Sequence, residues 1–185
     1  MLKQLSKLLS GSAIGQLLAF IIIPYLTHVY SPESLGEYQV VLSASMLFSI
    51  LLTLKLEIAI PTLNTVEIDL HTRNTVKVLF INVVVMSSII LMIANFTELL
   101  PTSLNKAYLI ISFVIIATLM AASNIFRFYL IEQERFGIIS MTLFVHSGGR
   151  GILQGLLNSF SSFGLMLGDI LSKMIMIIFS LKILP

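Results

Sequence analysis

Six windows of about twenty residues, each nearly free of charge, follow one another along the chain: 12–30, 38–61, 78–96, 107–130, 140–160 and 163–182. Wound as a helix at about 1.5 Å per residue, a segment of that length covers the ~30 Å hydrocarbon core of a bilayer. Hydrocarbon cannot hydrogen-bond a backbone, and a helix satisfies its own N–H and C=O groups within one segment. Composition points the same way. Hydrophobic residues make up 57% of the chain and charged residues 11%, where soluble domains carry about a quarter charged. The expected fold class is an all-α integral membrane protein with six transmembrane helices.

Lys3 and Lys7, ahead of the first window, look like the charged region of a signal peptide. The apolar run behind them reaches Tyr30 without a small-residue cleavage site, so an uncleaved first span is expected. Orientation follows from the excess of Lys and Arg in cytoplasmic loops. With the N-terminus inside, Lys3, Lys7, Arg73, Lys77, Arg127, Arg135 and Lys182 fall on the cytoplasmic face, and Lys106 alone on the outer face. Both termini are then cytoplasmic. Ser31 is placed to cap a short helix starting at Pro32, with Glu33 in its first turn. Pro24 should kink the first helix, because its ring displaces a backbone hydrogen bond. Segment 62–77 is polar, carries His71 and Arg73, and reads as a solvated cytoplasmic loop.

Lys55, Glu57, His146, Arg150, Asp169 and Lys173 lie inside the windows. An Arg or Lys at a helix centre costs about 2.5–3.5 kcal/mol there, so each charge needs a partner, a water-filled cavity or a route to the surface. Lys55 and Glu57, two apart, point to different sides of a helix and cannot pair. Lys55 is near enough to the cytoplasmic end to snorkel, the shorter Glu57 less so. Asp169 and Lys173, four apart with the acid first, suit an intrahelical ion pair, or a coupling or substrate site at that depth.

Arg150 stands about halfway along its window, too deep to snorkel easily. His146 and Gln154 share its face, and Gly148, Gly149 and Gly151 leave no side-chain bulk beside it. The stripe His146, Arg150, Gln154 reads as the wall of a cavity lined for an anion. The alternative is a close-packed glycine seam in which Arg150 bonds a carboxylate such as Asp169.

Several chemistries are excluded. The chain has no cysteine, hence no disulfide, thiolate nucleophile or sulfur-ligated metal. A net charge of +2, with no basic stripe among aromatics, gives no footprint for nucleic acid. An intramembrane aspartyl protease needs two aspartates sharing a proton, and of Asp69 and Asp169 only the latter lies in a window. The glycine-framed serine and the HExxH zinc motif are absent. Neither an enzyme nor a cofactor or metal is expected.

The stretch "SGSAIGQLLAFIIIPYLTHVYSPESLGEYQVVLSASMLFSILLTLKLEIAIP" carries Gly15 and Gln16 early in the first window, then Pro24, Gly36 and a basic-x-Glu element at Lys55 and Glu57. Farther on come "RFYLIEQERFGIISM" and "GLMLGDIL". Together they resemble the bacterial polysaccharide flippases, the O-antigen and teichoic-type exporters of the multidrug/oligosaccharidyl-lipid/polysaccharide exporter superfamily. Two features depart from the pattern: His28 stands where those proteins usually have arginine, and they have twelve or more helices in two six-helix bundles. The resemblance implies that this chain is the N-terminal lobe, residues 1–185, partnered by a second six-helix half. It implies flipping of an undecaprenyl-pyrophosphate-linked oligosaccharide across the bacterial inner membrane by alternating access, with an ion gradient as the drive. Lys55 and Glu57 carry over as the matching element. Two other readings stay open: a multidrug or small-solute exporter half of the same fold, and a non-transporting fragment or assembly subunit.

Overall fold

The computed structural model describes residues 2–96 and 104–183. All regular structure in them is helical: α1 (Leu2–Val29), α2 (Pro32–Thr53), α3 (Thr65–Phe96), α4 (Leu104–Glu132), α5 (Phe136–Leu156) and α6 (Ser161–Ile183), with short 3-10 helices at Leu56–Thr62 and Asn158–Phe160. Among the described residues, four helical stretches are long and apolar enough to cross a membrane: Pro32–Thr53, Glu67–Ile90, Tyr108–Glu132 and Asn158–Phe179. Large apolar side chains such as Phe20, Leu47 and Phe80 stand outward, an arrangement suited to lipid rather than water. The expected outer connection lies, over 97–103, outside the described residues, as do the side chains of Lys3, Lys7, Lys106 and Lys182.

The chain divides into two compact units, Met1–Gln39 with Leu130–Pro185, and Val40–Tyr129. In the first, α1 lies along the glycine face of α5. Gly15 meets Ser147, Leu18 meets Gly148, Ile22 meets Gly151 and Tyr25 meets Gly155. Both sets of numbers rise together, so α1 and α5 run parallel. A Cβ at Gly151 would come within 2.7 Å of Ile22, so only glycine allows this approach. Helix α6 returns antiparallel to α5, with Ser172 beside His146 and Leu165 beside Gln154.

In the second unit, Leu52, Ile60, Ile68, Leu79, Ala117, Ala121 and Ile125 form one buried cluster. Phe48 sets its ring edge-on to Phe113 at 4.9 Å, and Ser45 Oγ donates to the Phe113 carbonyl at 3.2 Å.

Three expectations change. The second window is not one helix to Pro61: α2 stops at Thr53, and a 3-10 turn begins at Leu56. Leu54 and Lys55 are left-handed, with φ of 51° and 59°. Pro61 lacks the N–H that an α-helix would bond to Glu57. Asn82 Nδ2 reaches the freed Leu52 carbonyl at 3.0 Å, and the Thr53 hydroxyl accepts from Lys55 N–H at 3.3 Å. Segment 62–77 is not a loop either, since α3 starts at Thr65. The Asn64 carbonyl accepts from Glu67 and Ile68 N–H, and Ile68, Thr75 and Leu79 at helical spacing bury one face. Finally, the helix capped by Ser31 is no separate turn but the start of α2, where Ser31 Oγ accepts Ser34 N–H at 3.2 Å. Helix α1 continues through Pro24, whose carbonyl accepts the Thr27 hydroxyl at 2.9 Å.

Candidate functional site

The spacing of four residues between His146, Arg150 and Gln154 sets them along one side of α5. Antiparallel packing brings Ser172, Asp169 and Lys173 of α6 alongside. At one end, the Ser172 hydroxyl donates to the His146 carbonyl at 2.8 Å, and His146 Nδ1 lies 3.1 Å from the same oxygen. A hydroxyl has one proton to give. Nδ1 is therefore the donor in the second bond, which leaves Nε2 as the ring's open position. At the other end, buried Gln154 donates Nε2–H to the Leu165 carbonyl at 2.9 Å. The Gln154 carbonyl accepts the Tyr30 hydroxyl at 2.6 Å. A Cβ at Gly168 would fall 2.7–2.8 Å from Gln154, so this crossing also depends on glycine.

Between those two braces sit the charges. Lys173 Nζ lies 2.5 Å from Asp169 Oδ2, with the two side chains 4% and 0% exposed. The pair neutralises itself. Asp169 Oδ1 is buried and has no hydrogen-bond partner among the described residues, and the buried Tyr38 hydroxyl stands among Arg150, Gln154 and Asp169. Arg150 is half-buried and forms no ion pair among the described residues. Its polar surroundings are Tyr38, His146 and Lys173. The carboxylate partner considered for it, Asp169, is taken by Lys173. One positive charge is thus left over in this unit, beside the Tyr38 hydroxyl.

The remaining candidates lie elsewhere. Lys55 and Glu57 belong to the second unit, at the break after α2; Lys55 is exposed and Glu57 is 1% exposed. Gly148 and Gly149 serve packing, against Leu18 and Ser172 respectively. Gly36 is exposed, and a Cβ there would meet nothing within 4 Å. Sequence reasoning did not select Tyr38, Tyr30 or Ser172. Ser172 follows Asp169 by three residues, a spacing that places it on the same face. Tyr38 opens its window and looks like any interfacial aromatic.

Residues 1–184 match the model of a family described as polysaccharide biosynthesis protein. No curated protein matches the chain, and no solved structure does.

Proposed function

This chain belongs to the polysaccharide biosynthesis protein family, and from that membership and the charge left over in its first unit we propose that it moves a lipid-pyrophosphate-linked oligosaccharide across the bacterial inner membrane. The observation that carries this reading is Arg150, a guanidinium without an ion-pair partner among the described residues, beside an Asp169–Lys173 pair that is already neutral. A fixed cation at that depth costs energy unless something anionic visits it. A pyrophosphate fits, because its oxygens accept the parallel N–H bonds of the guanidinium fork. The Tyr38 hydroxyl and the open Nε2 of His146 supply further polar contacts, and Gln154 holds the wall in register.

Parity supports six spans. Helices α1 and α5 run parallel, which requires an odd number of crossings between them, and α2, α3 and α4 are three. Helix α6 then returns the chain to its starting side. A six-helix unit that begins and ends in the cytoplasm suits one lobe of a two-lobe transporter, with the second lobe forming the facing wall. Alternating access would come from rocking one lobe against the other.

The test is export in a flippase-deficient bacterium supplied with this chain and a second six-helix half. Arg150→Ala should abolish export while the protein still accumulates in the membrane. Arg150→Lys should keep part of it, since a point charge still attracts a phosphate but lacks the fork. Normal export by Arg150→Ala would refute the reading.

A further inference from the structure

Helix α3 is longer than a bilayer core is thick, and its outer surface changes character partway along. Its 32 residues rise about 48 Å, against a hydrocarbon core of about 30 Å, so part of it stands beyond the lipid tails. The sequence picks the end. Glu67, Asp69, Arg73 and Lys77 are all exposed, and no charged residue follows Lys77 in this helix. From Phe80 onward the exposed side chains turn apolar, with Ile81 and Val84 next, and the Ser88 hydroxyl spends its proton on the Val84 carbonyl. The step between Lys77 and Phe80 marks the edge of the hydrocarbon.

Two cations stand at this step without a counter-charge. Arg73 and Lys77 are four residues apart, which makes them neighbours on one exposed face. Neither forms an ion pair among the described residues. Asp69, four residues before Arg73, lies a turn farther from the apolar part of the helix. Two contacts set a third cation at the same level. Asn82 Nδ2 reaches the Leu52 carbonyl at 3.0 Å, and His71 Nε2 lies 3.0 Å from the Leu56 carbonyl. Lys55, between Leu52 and Leu56, is therefore level with the stretch of α3 that holds Arg73 and Lys77. It is exposed, as are Leu54 and Ile58 beside it. The left-handed turn at Leu54 and Lys55 is what brings the chain out of α2 at this height.

Cations directly above an apolar strip call for an anion that carries its own hydrocarbon. A soluble anion leaves Phe80, Ile81 and Val84 unused; a phospholipid uses both halves of the surface. We propose that Arg73 and Lys77, with Lys55 at the same level, form a headgroup site for an anionic phospholipid whose acyl chains lie along Phe80, Ile81 and Val84. The Arg73 fork donates parallel N–H bonds to the phosphodiester oxygens. Lys77, at the edge of the apolar strip, extends its stem along it and its ammonium toward the same phosphate. This surface lies wholly within the second unit and is independent of Arg150 and of the substrate assigned to it.

The test uses the purified full chain in neutral detergent micelles, titrated with phosphatidylglycerol or with zwitterionic phosphatidylcholine while thermal unfolding is followed by circular dichroism. Phosphatidylglycerol should raise Tm in a saturable way that phosphatidylcholine does not reproduce. Each cation at an anionic surface is worth about fivefold in affinity, so Arg73→Gln with Lys77→Gln should weaken the apparent affinity about 25-fold. Both side chains are exposed and unpaired, so this variant should match the parent's Tm without lipid. The exchange Arg73→Lys with Lys77→Arg conserves charge and should keep most of the shift. Arg127→Gln, which removes an exposed cation from α4, should keep all of it. Equal Tm values in the two lipids would overturn the proposal. So would an undiminished affinity in the double glutamine variant, or an equal loss in Arg127→Gln, which would mark a response to overall charge. An equal rise with inorganic phosphate would assign the cations to a free anion and overturn it too.

Discussion

Arg150 and Lys173 carry the same charge a short way apart, yet their neighbours give them opposite roles. Lys173 is committed to Asp169, and the two are almost fully buried. Removing the lysine alone strands a carboxylate, so Lys173→Met should destabilise the protein by about 3–5 kcal/mol. The double change Asp169→Leu with Lys173→Met should recover most of that loss, as read from thermal unfolding in detergent. Arg150 has no ion pair to break among the described residues. Arg150→Ala should therefore leave Tm close to that of the parent, within about 1 kcal/mol. If Arg150→Ala destabilised as much as Lys173→Met, Arg150 would be a structural residue and its substrate role would fall. The ion pair was legible because a spacing of four on one helix specifies a contact by itself. Tyr38 and Ser172 were not, because each gains its meaning from a helix that sequence spacing does not locate.

Helix α5 shows how a weak sequence signal becomes a strong structural one. Its glycines lower its helix propensity and its apparent fitness as a span, but Gly148, Gly151 and Gly155 form the face on which α1 rests. Gly151→Val should overpack against Ile22 and cost about 1–3 kcal/mol. Pairing it with Ile22→Ala should restore part of the stability, measured by the same unfolding assay. A neutral Gly151→Val would place α1 farther from α5 than the structure has it. The break in α2 was hidden for a different reason. Hydropathy averages over a window, and the run to Pro61 is apolar whether or not it is one helix. The partner that stabilises the break, Asn82, comes from another helix, thirty residues beyond Leu52 in sequence. Asn82→Leu keeps the volume but strips the donor from the Leu52 carbonyl, so it should cost about 1–3 kcal/mol. Segment 62–77 looks like a loop when its charge is read without its periodicity. Its exposed Asp69, Arg73 and Lys77 are the outer face of a helix whose inner face holds Ile68, Thr75 and Leu79.

For the molecule as a whole, the charge bias of the loops favours a cytoplasmic N-terminus, and parallel α1 and α5 with antiparallel α6 suit a six-span path. Single cysteines replacing Leu70 and Gln133 should be labelled from the cytoplasm, and one replacing Glu33 from the periplasm. Periplasmic labelling of position 70 would invalidate the six-span path. The family match over 1–184 agrees with the resemblance read from the early and middle motifs. The claim on which the function rests is that Arg150 faces water and meets an anion there. The chain has no cysteine of its own, so one introduced thiol reports without background. The decisive measurement is the reaction of Arg150→Cys with a membrane-impermeant thiol reagent, beside Ile152→Cys, which stands on the exposed apolar side of α5. Position 150 should react, its reaction should slow when a lipid pyrophosphate is added, and position 152 should stay unlabelled. An unreactive cysteine at 150, or one that labels no faster than 152, would contradict the account.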